Sequence, residues 1–271
     1  MKIINGKKLA AIREKKLKLK IAKLGVRPKV VSILIGGDPP SILYTNMKHK
    51  KAADVGIDFE PLRLSEKTPF EQVVKKVEEL NQDKSIEGIM MQLPLPKEFL
   101  NGHDPKELIM KISPKKDFDG LTGKGIFLPA VVRAVFSILE DEKVVVKNKK
   151  VAVLGRSDLI GKPVAREMRK LGARVFVIHK ETKNPKKITQ AVDIIVAATG
   201  VPELLKGDWV SRGVVVIDVG TQKVNDKLVG DVEFDTVSKK ASKITPVPGG
   251  VGPMTVISLM ENVLNNYDKK N

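Results

Sequence analysis

Ser41, Tyr44 and Lys48 stand three and four residues apart, so a helix through them would carry all three side chains on one face. A hydroxyl, a phenol and an amine in one stripe can donate hydrogen bonds, and a neutral amine can also take a proton. The commoner meaning is a surface tyrosine beside a surface lysine. Gln92 lies in G-I-M-M-Q-L-P-L-P (Gly88–Pro96), followed by Leu93. A buried amide needs partners, so Gln92 either caps a loop or accepts from a lysine. K-K-D-F-D-G-L (Lys115–Leu121) holds Asp117 and Asp119 in a turn, where carboxylates ordinarily accept from nearby backbone N–H groups.

A second group of residues points to a phosphate-bearing ligand. The apolar run Lys150–Leu154 leads into G-R-S-D-L-I-G-K-P (Gly155–Pro163) and then a helical pattern. Strand, glycine turn and helix N-terminus together present backbone N–H groups to an anion. Only Gly155 and Gly161 stand where the dinucleotide fingerprint has three glycines, so a plain strand-to-helix turn is the alternative. The next strand ends at Ile178 and runs into His179-Lys180-Glu181-Thr182-Lys183. NAD-specific sheets place an acid here for the ribose 2′-hydroxyl. Arg156, Lys180 and Lys183 suit a 2′-phosphate instead, so NADP is the expected cofactor, and Glu181 keeps NAD as the alternative. The Tyr44/Lys48 spacing also occurs in short-chain dehydrogenases, but there the pair follows the cofactor loop. Here it precedes that loop, which rules the assignment out.

Ile244–Thr255 (I-T-P-V-P-G-G-V-G-P-M-T) packs three prolines and three glycines into twelve uncharged residues. Proline fixes φ and glycine lets backbone come close, so the stretch reads as a rigid main-chain wall for a flat ligand, or as a stiff connector before a terminal helix.

These residues need a scaffold. Apolar strands are expected at Lys29–Ile35, Gly88–Gln92, Lys150–Leu154, Arg174–Ile178, Asp193–Ala197 and Val214–Val219. Helices are expected at Pro40–Asp54, Pro69–Asn81, Pro129–Leu139, Lys162–Leu171 and Val256–Asn266, with a lysine-rich amphipathic helix in Met1–Gly25. Continuous apolar strands alternating with helices mean parallel sheets covered on both faces. The pattern occurs twice, giving an α/β protein of two domains: an N-terminal α/β catalytic domain, and a Rossmann-type doubly wound parallel sheet. The expected boundaries are 1–128 with 250–271, and 129–249. The last helix is expected to pack back on the first domain, leaving the proline-glycine wall in the cleft between them.

Composition narrows the field. With 42% hydrophobic residues a core can form, and with no cysteine there is neither a disulfide frame nor a thiolate metal site. The three histidines (His49, His103, His179) have no metal-ligand spacing, so no metal is expected. No signal segment or membrane span is legible, and a soluble, cytoplasmic protein is expected. The formal charge of +17 raises nucleic acid as a partner, but only 4% of residues are aromatic, too few for stacking platforms. A lysine-rich solvated surface, or attraction of anionic small molecules such as dinucleotide phosphates or a polyglutamate tail, accounts for it better.

Together these stretches resemble the methylenetetrahydrofolate dehydrogenase/cyclohydrolase family. The resemblance runs through S-x-x-Y-x-x-x-K (Ser41–Lys48), Gly88–Pro96, K-D-x-D-G (Lys116–Gly120), G-R-S-x-x-x-G-x-P (Gly155–Pro163), I-D-V-G (Ile217–Gly220), G-D-V (Gly230–Val232) and Thr245–Thr255, in one order along nearly the whole chain. It implies a homodimer that oxidises 5,10-methylenetetrahydrofolate with NAD(P)+ and hydrolyses the methenyl product to 10-formyltetrahydrofolate. A dehydrogenase without the hydrolase activity is the alternative. It also implies Lys48 as the catalytic lysine, with Tyr44 beside it at the pterin, Gln92 holding Lys48, and Asp119 on the pterin edge. Ser41, Leu93, Pro248, Gly249 and Gly250 complete the expected folate contacts. Gly155, Arg156 and Ser157 are expected at the cofactor phosphates, and Lys180 and Thr221 at its ribose and nicotinamide. The chain departs from the family pattern by lacking a Pro-Cys-Thr-Pro insert after Asp119-Gly120, and by carrying Lys180 and Thr221 where Ser and Ile are common. A cationic substrate repels a charged lysine, so Lys48 is expected to be largely a neutral amine.

Overall fold

The computed structural model describes residues 1–270, with side chains through residue 267. The chain forms two compact units. One comprises Ile12–Ala130 and the chain from Val256 onward; the other comprises Met1–Ala11 and Val131–Thr255. The units therefore part within the last helix (Val251–Lys270) rather than before it, and the first residues join the second unit.

In the first unit, three parallel strands stand in the order Asp58–Leu64, Lys29–Ile35, Gly88–Met91. Every residue of the central strand after Lys29 is buried, as expected of a continuous apolar run between two neighbours. Asp58–Leu64 was not expected, because D-F-E-P-L-R-L carries Pro61. It lies at the sheet edge, where proline's missing N–H leaves no ladder bond unmade. Helix Phe70–Gln82 covers the sheet with Val73, Val74, Val77 and Leu80, which join Val31, Ile33, Ile89 and Met91 in one core. Helix Pro39–Val55 starts where Asp38 accepts from the Ser41 N–H, with proline in its first turn, and stops at Gly56 in the left-handed region (φ 94°).

The second unit holds a six-stranded sheet, parallel throughout, in the order Lys2–Ile3, Lys243–Ile244, Val215–Asp218, Ile194–Ala197, Lys150–Leu154, Arg174–Ile178. The two-residue strand Lys2–Ile3 explains why the N-terminus belongs here: the amphipathic helix expected over Met1–Gly25 begins only at Gly6 (Gly6–Ala22). From Lys150–Leu154 the chain goes first to the strand on one side and then to the strand on the other. The order reverses there, which opens a crevice at the strand's carboxyl end, the usual ligand position in such sheets. A small hairpin, Gln222–Val224 with Lys227–Val229, turns at Asn225 and Asp226, both with positive φ (47° and 63°).

The proline-glycine stretch is shorter than expected. Helix Val251–Lys270 already contains Pro253 in its first turn, where an N–H has no helical partner to lose, so only Thr245–Gly250 is irregular.

Candidate functional site

Helix Pro39–Val55 presents Tyr44 and Lys48 one turn apart, and strand Gly88–Met91 ends immediately before Gln92. Lys48 Nζ donates to Gln92 Oε1 at 2.9 Å. The other end of the Gln92 amide is tied down: Nε2 donates to the Leu93 carbonyl at 2.8 Å, and the Gln92 N–H donates to the Ile33 carbonyl at 2.8 Å. The amide is buried, so its oxygen is held toward Lys48. Burial lowers the Lys48 pKa below the ordinary lysine value, and the nearby Asp119 charge opposes this without reversing it.

Asp119 arrives on a segment built against the same strand. Ile89 donates to the Lys116 carbonyl at 2.8 Å, and Phe118 is fully buried, its ring against the Gly88 Cα. A Cβ at Gly88 would lie 2.4 Å from that ring, so glycine is required for Phe118 to sit there. The two aspartates separate by role. Asp117 accepts from the N–H groups of Leu121 (3.0 Å) and Thr122 (2.8 Å) and from the Thr122 hydroxyl (2.6 Å), the ordinary turn chemistry. Asp119 is half-buried, and desolvation pushes its carboxyl up to about 6, against the pull of Lys48. A desolvated amine, a desolvated carboxylate and a fixed amide thus share one region of the first unit.

The other expected folate contacts are placed differently. The Ser41 hydroxyl is buried and donates to Asp38 at 2.7 Å, which makes it part of the helix cap. Tyr44 is exposed. The Leu93 side chain packs against the strand–helix core while its carbonyl holds Gln92. Pro248, Gly249 and Gly250 belong to the second unit, where a Cβ on Gly6 would lie 1.8 Å from the Gly250 carbonyl oxygen.

In the second unit, Gly155 follows its strand at φ 109°, and a Cβ there would lie 2.1 Å from the Ala198 carbonyl oxygen. A Cβ on Gly161 would lie 2.3 Å from the Gly155 carbonyl oxygen. The turn is therefore drawn tight across the crevice, with room only for backbone, as a dinucleotide pyrophosphate requires. Ser157 Oγ accepts from Ile160 (3.3 Å) and Gly161 (3.2 Å) and still has its own proton to donate. Arg156 pairs with Glu181 at 3.3 Å on the open surface, and His179 Nδ1 lies 3.6 Å from the same carboxylate. Lys180 and Thr221 are exposed. The residues fit a dinucleotide, with Arg156 and Lys180 available to its 2′-phosphate.

Two buried acids had been singled out only as motif letters. Asp218, of I-D-V-G, accepts from the N–H groups of Gly220 (3.0 Å), Asp231 (3.0 Å) and Val232 (3.1 Å), and burial pushes its carboxyl up to about 7. Asp231, of G-D-V, accepts from the Thr199 N–H, the Thr199 hydroxyl (2.9 Å) and the Gly200 N–H (3.1 Å). Asp231 pins the loop that follows strand Ile194–Ala197, whose Ala198 carbonyl lies against Gly155, and Asp218 pins the backbone at Asp231 in turn. The signal in the sequence is an acid within two residues of a glycine, Asp218 before Gly220 and Asp231 after Gly230, each following an apolar stretch.

Comparison with known proteins gives the family of the chain. Residues 4–119 match the family described as "Tetrahydrofolate dehydrogenase/cyclohydrolase, catalytic domain", and residues 129–271 match its NAD(P)-binding domain. The chain is 43% identical over 282 residues to the bifunctional protein FolD of Lactobacillus acidophilus, covering 100% of this chain and 98% of that one. It superposes on the bifunctional FolD methylenetetrahydrofolate dehydrogenase/cyclohydrolase of Campylobacter jejuni with a TM-score of 0.95, at 34% identity and 100% coverage of both chains. It superposes on the Trypanosoma brucei enzyme, solved with NADP cofactor and an inhibitor, with a TM-score of 0.92, at 36% identity, covering 99% of this chain and 97% of that one.

Proposed function

The chain belongs to the tetrahydrofolate dehydrogenase/cyclohydrolase family, and from that premise we propose that Lys48, Gln92 and Asp119 form the reacting end of its folate site. The enzyme is bifunctional. It oxidises 5,10-methylenetetrahydrofolate to the methenyl cation with NADP+, and hydrolyses that cation to 10-formyltetrahydrofolate. The observation that carries the site assignment is the 2.9 Å bond from a desolvated Lys48 amine to an immobilised Gln92 oxygen.

The first reaction removes hydride from a carbon flanked by two nitrogens, whose lone pairs stabilise the cation that results. No strong base is needed; the reaction depends on orientation. Bound NADP+ supplies the hydride acceptor, and Gly155, Arg156, Ser157 and Lys180 would hold its phosphates, with Thr221 nearer its nicotinamide end. Asp119 orients the substrate, because an aminopyrimidinone edge offers two N–H donors and an ionised carboxylate accepts both. Tyr44, one turn from Lys48, and Leu93, beside Gln92, extend the same surface. Ser41 serves it by capping the helix that carries Lys48.

The second reaction needs a base. As a neutral amine, Lys48 donates a hydrogen bond to Gln92 Oε1 and turns its lone pair toward a water. Lys48 takes a proton from that water as its oxygen bonds to the methenyl carbon. The new hydroxyl then loses its remaining proton as the C=O bond forms, the bond from that carbon to N5 breaks, N5 takes up one of the two protons that came from the water, and the formyl group stays on N10. One proton is released overall.

We assign residues 1–128 with 250–271 to the catalytic domain and 129–249 to the cofactor domain; the family matches, 4–119 and 129–271, support the boundary near residue 128, and the packing of the chain from Val256 onward with Ile12–Ala130 supports returning the last helix to the first domain. A cytoplasmic homodimer is the assembly the family resemblance favours, and no described helix is long and apolar enough to cross a membrane. The +17 charge supports a polyglutamated folate as the form bound. The test incubates the purified protein with methylenetetrahydrofolate and either NADP+ or NAD+, following reduced cofactor and methenyl product separately by absorbance. Reduced cofactor with little methenyl accumulation is expected. Methenyl product accumulating in step with the reduced cofactor would favour a dehydrogenase lacking the hydrolase.

A further inference from the structure

Helix Val251–Lys270 is largely apolar where it is buried, yet three buried polar residues recur along it every four positions: Ser258, Asn262 and Asn266. That spacing places them on one stripe. Asn262 is fully buried; its Nδ2 donates to the Phe118 carbonyl at 2.9 Å and to the Leu128 carbonyl at 3.3 Å. One turn on, Asn266 Nδ2 donates to the Glu87 carbonyl at 2.7 Å and to the Lys115 carbonyl at 3.0 Å. Two carbonyl acceptors at one side chain require both hydrogens of an amide NH2, which identifies the donor atom in each case.

The four carbonyls are not scattered. Phe118 immediately precedes Asp119, and Leu128 ends the loop that Asp119 begins. Lys115 opens the turn leading into Asp117 and Asp119, and Glu87 precedes the strand that runs to Gln92. The loop is also closed on itself: Ala130 donates to the Asp119 carbonyl at 3.3 Å, and a Cβ on Gly120 would lie 2.6 Å from the Pro129 nitrogen. Asn262 therefore ties both ends of the Asp119 loop to one point on the helix. Its Oδ1 is buried without a partner, a cost that an apolar side chain of the same size would avoid. The donors must offset that cost, and what they hold is the backbone on either side of Asp119.

We infer that Asn262 and Asn266 form a two-rung clamp on the last helix that positions Asp119 toward the pterin edge, with Asn262 the dominant rung. Both are positioning residues that act through backbone. The inference rests on the reading of Asp119 as the pterin-binding carboxylate.

The test compares Asn262→Leu, Asp119→Ala and the double variant in the full-length enzyme, measuring KM for methylenetetrahydrofolate and for NADP+ separately. Asn262→Leu should raise the folate KM roughly tenfold, equivalent to ~1.4 kcal/mol, and leave the NADP+ KM unchanged. Combined with Asp119→Ala it should add little, because both changes remove the same contact. Asn266→Leu should act in the same direction, less strongly. If Asn262→Leu does not fold, Asn262→Asp replaces it, keeping the shape and giving up the amide protons, with the same readouts expected. A folate KM that stays at the parent value, a parallel rise in both KM values, or losses that simply add would overturn the clamp. An unchanged folate KM in Asp119→Ala itself would overturn the Asp119 assignment, and the clamp's purpose with it.

Discussion

Replacing Asp119 with Asn should stabilise the enzyme at neutral pH while weakening folate binding. Burial pushes the Asp119 carboxyl up to about 6 from an ordinary 3.8, so ionising it inside the folded protein is disfavoured. At ~1.4 kcal/mol per pKa unit, the folded state carries a cost of about 3 kcal/mol at neutral pH that the unfolded chain does not. Because the folded pKa is the raised one, the folded state holds the proton longer. The group's contribution to stability is complete below pH 3.8 and is lost as pH rises through about 6. Urea unfolding of parent and Asp119→Asn at a series of pH values from about 4 to about 7.5 reads this directly. The variant's advantage should be near zero at the acid end and grow to about 3 kcal/mol at the neutral end. In the parent, the folate KM should rise as pH falls through about 6, because only the ionised carboxylate accepts both pterin donors; the variant's KM should be high and flat there. A stability difference that does not vary with pH, or a parent that is the more stable at neutral pH, would refute the assignment of a desolvated, ionised Asp119.

Other changes test separate parts of the molecule. Glu181→Gln releases Arg156 from its surface pair and should raise kcat/KM for NADP+ relative to NAD+ by up to about fivefold, the reach of an exposed ion pair; a falling ratio in steady-state kinetics would contradict this. Gly155→Ala puts a methyl 2.1 Å from the Ala198 carbonyl oxygen, so dehydrogenase activity should collapse while hydrolysis of supplied methenyltetrahydrofolate continues; equal loss of both rates would argue against a cofactor turn. Gly88→Ala drives a methyl into the Phe118 ring and should cost about 1–3 kcal/mol in denaturant unfolding and raise the folate KM, whereas parent-like values for both would show that the ring does not position Asp119.

Much of the architecture was legible because its signals are local. Lys29–Ile35, Lys150–Leu154 and Arg174–Ile178 are predominantly apolar runs, each opened by a basic residue, and the strands begin and end where those runs do. Asp58–Leu64 escaped because proline normally argues against a strand, and only its edge position, a tertiary fact, makes proline harmless. Lys2–Ile3 escaped because a two-residue strand has no periodicity; it exists through its pairing with Lys243–Ile244. The site divides in the same way. Spacing put Tyr44 and Lys48 on one helix face, while the family resemblance singled out Gln92 and Asp119; nothing local distinguished Asp119 from Asp117, whereas the Asp117 bonds to Leu121 and Thr122 do. Asn262 and Asn266 lie far along the chain from the backbone they hold, so a polar stripe in an apolar helix was their only trace.

The most direct measurement is the hydrolysis rate of supplied methenyltetrahydrofolate by Lys48→Met, a substitution that keeps the aliphatic stem and removes the amine. With the half-buried Lys48 amine, its pKa lowered by desolvation, as the base, hydrolysis should fall to the rate in buffer while the variant still binds NADP+ like the parent. Hydrolysis at the parent rate would contradict the account, because water would then be activated by some other group.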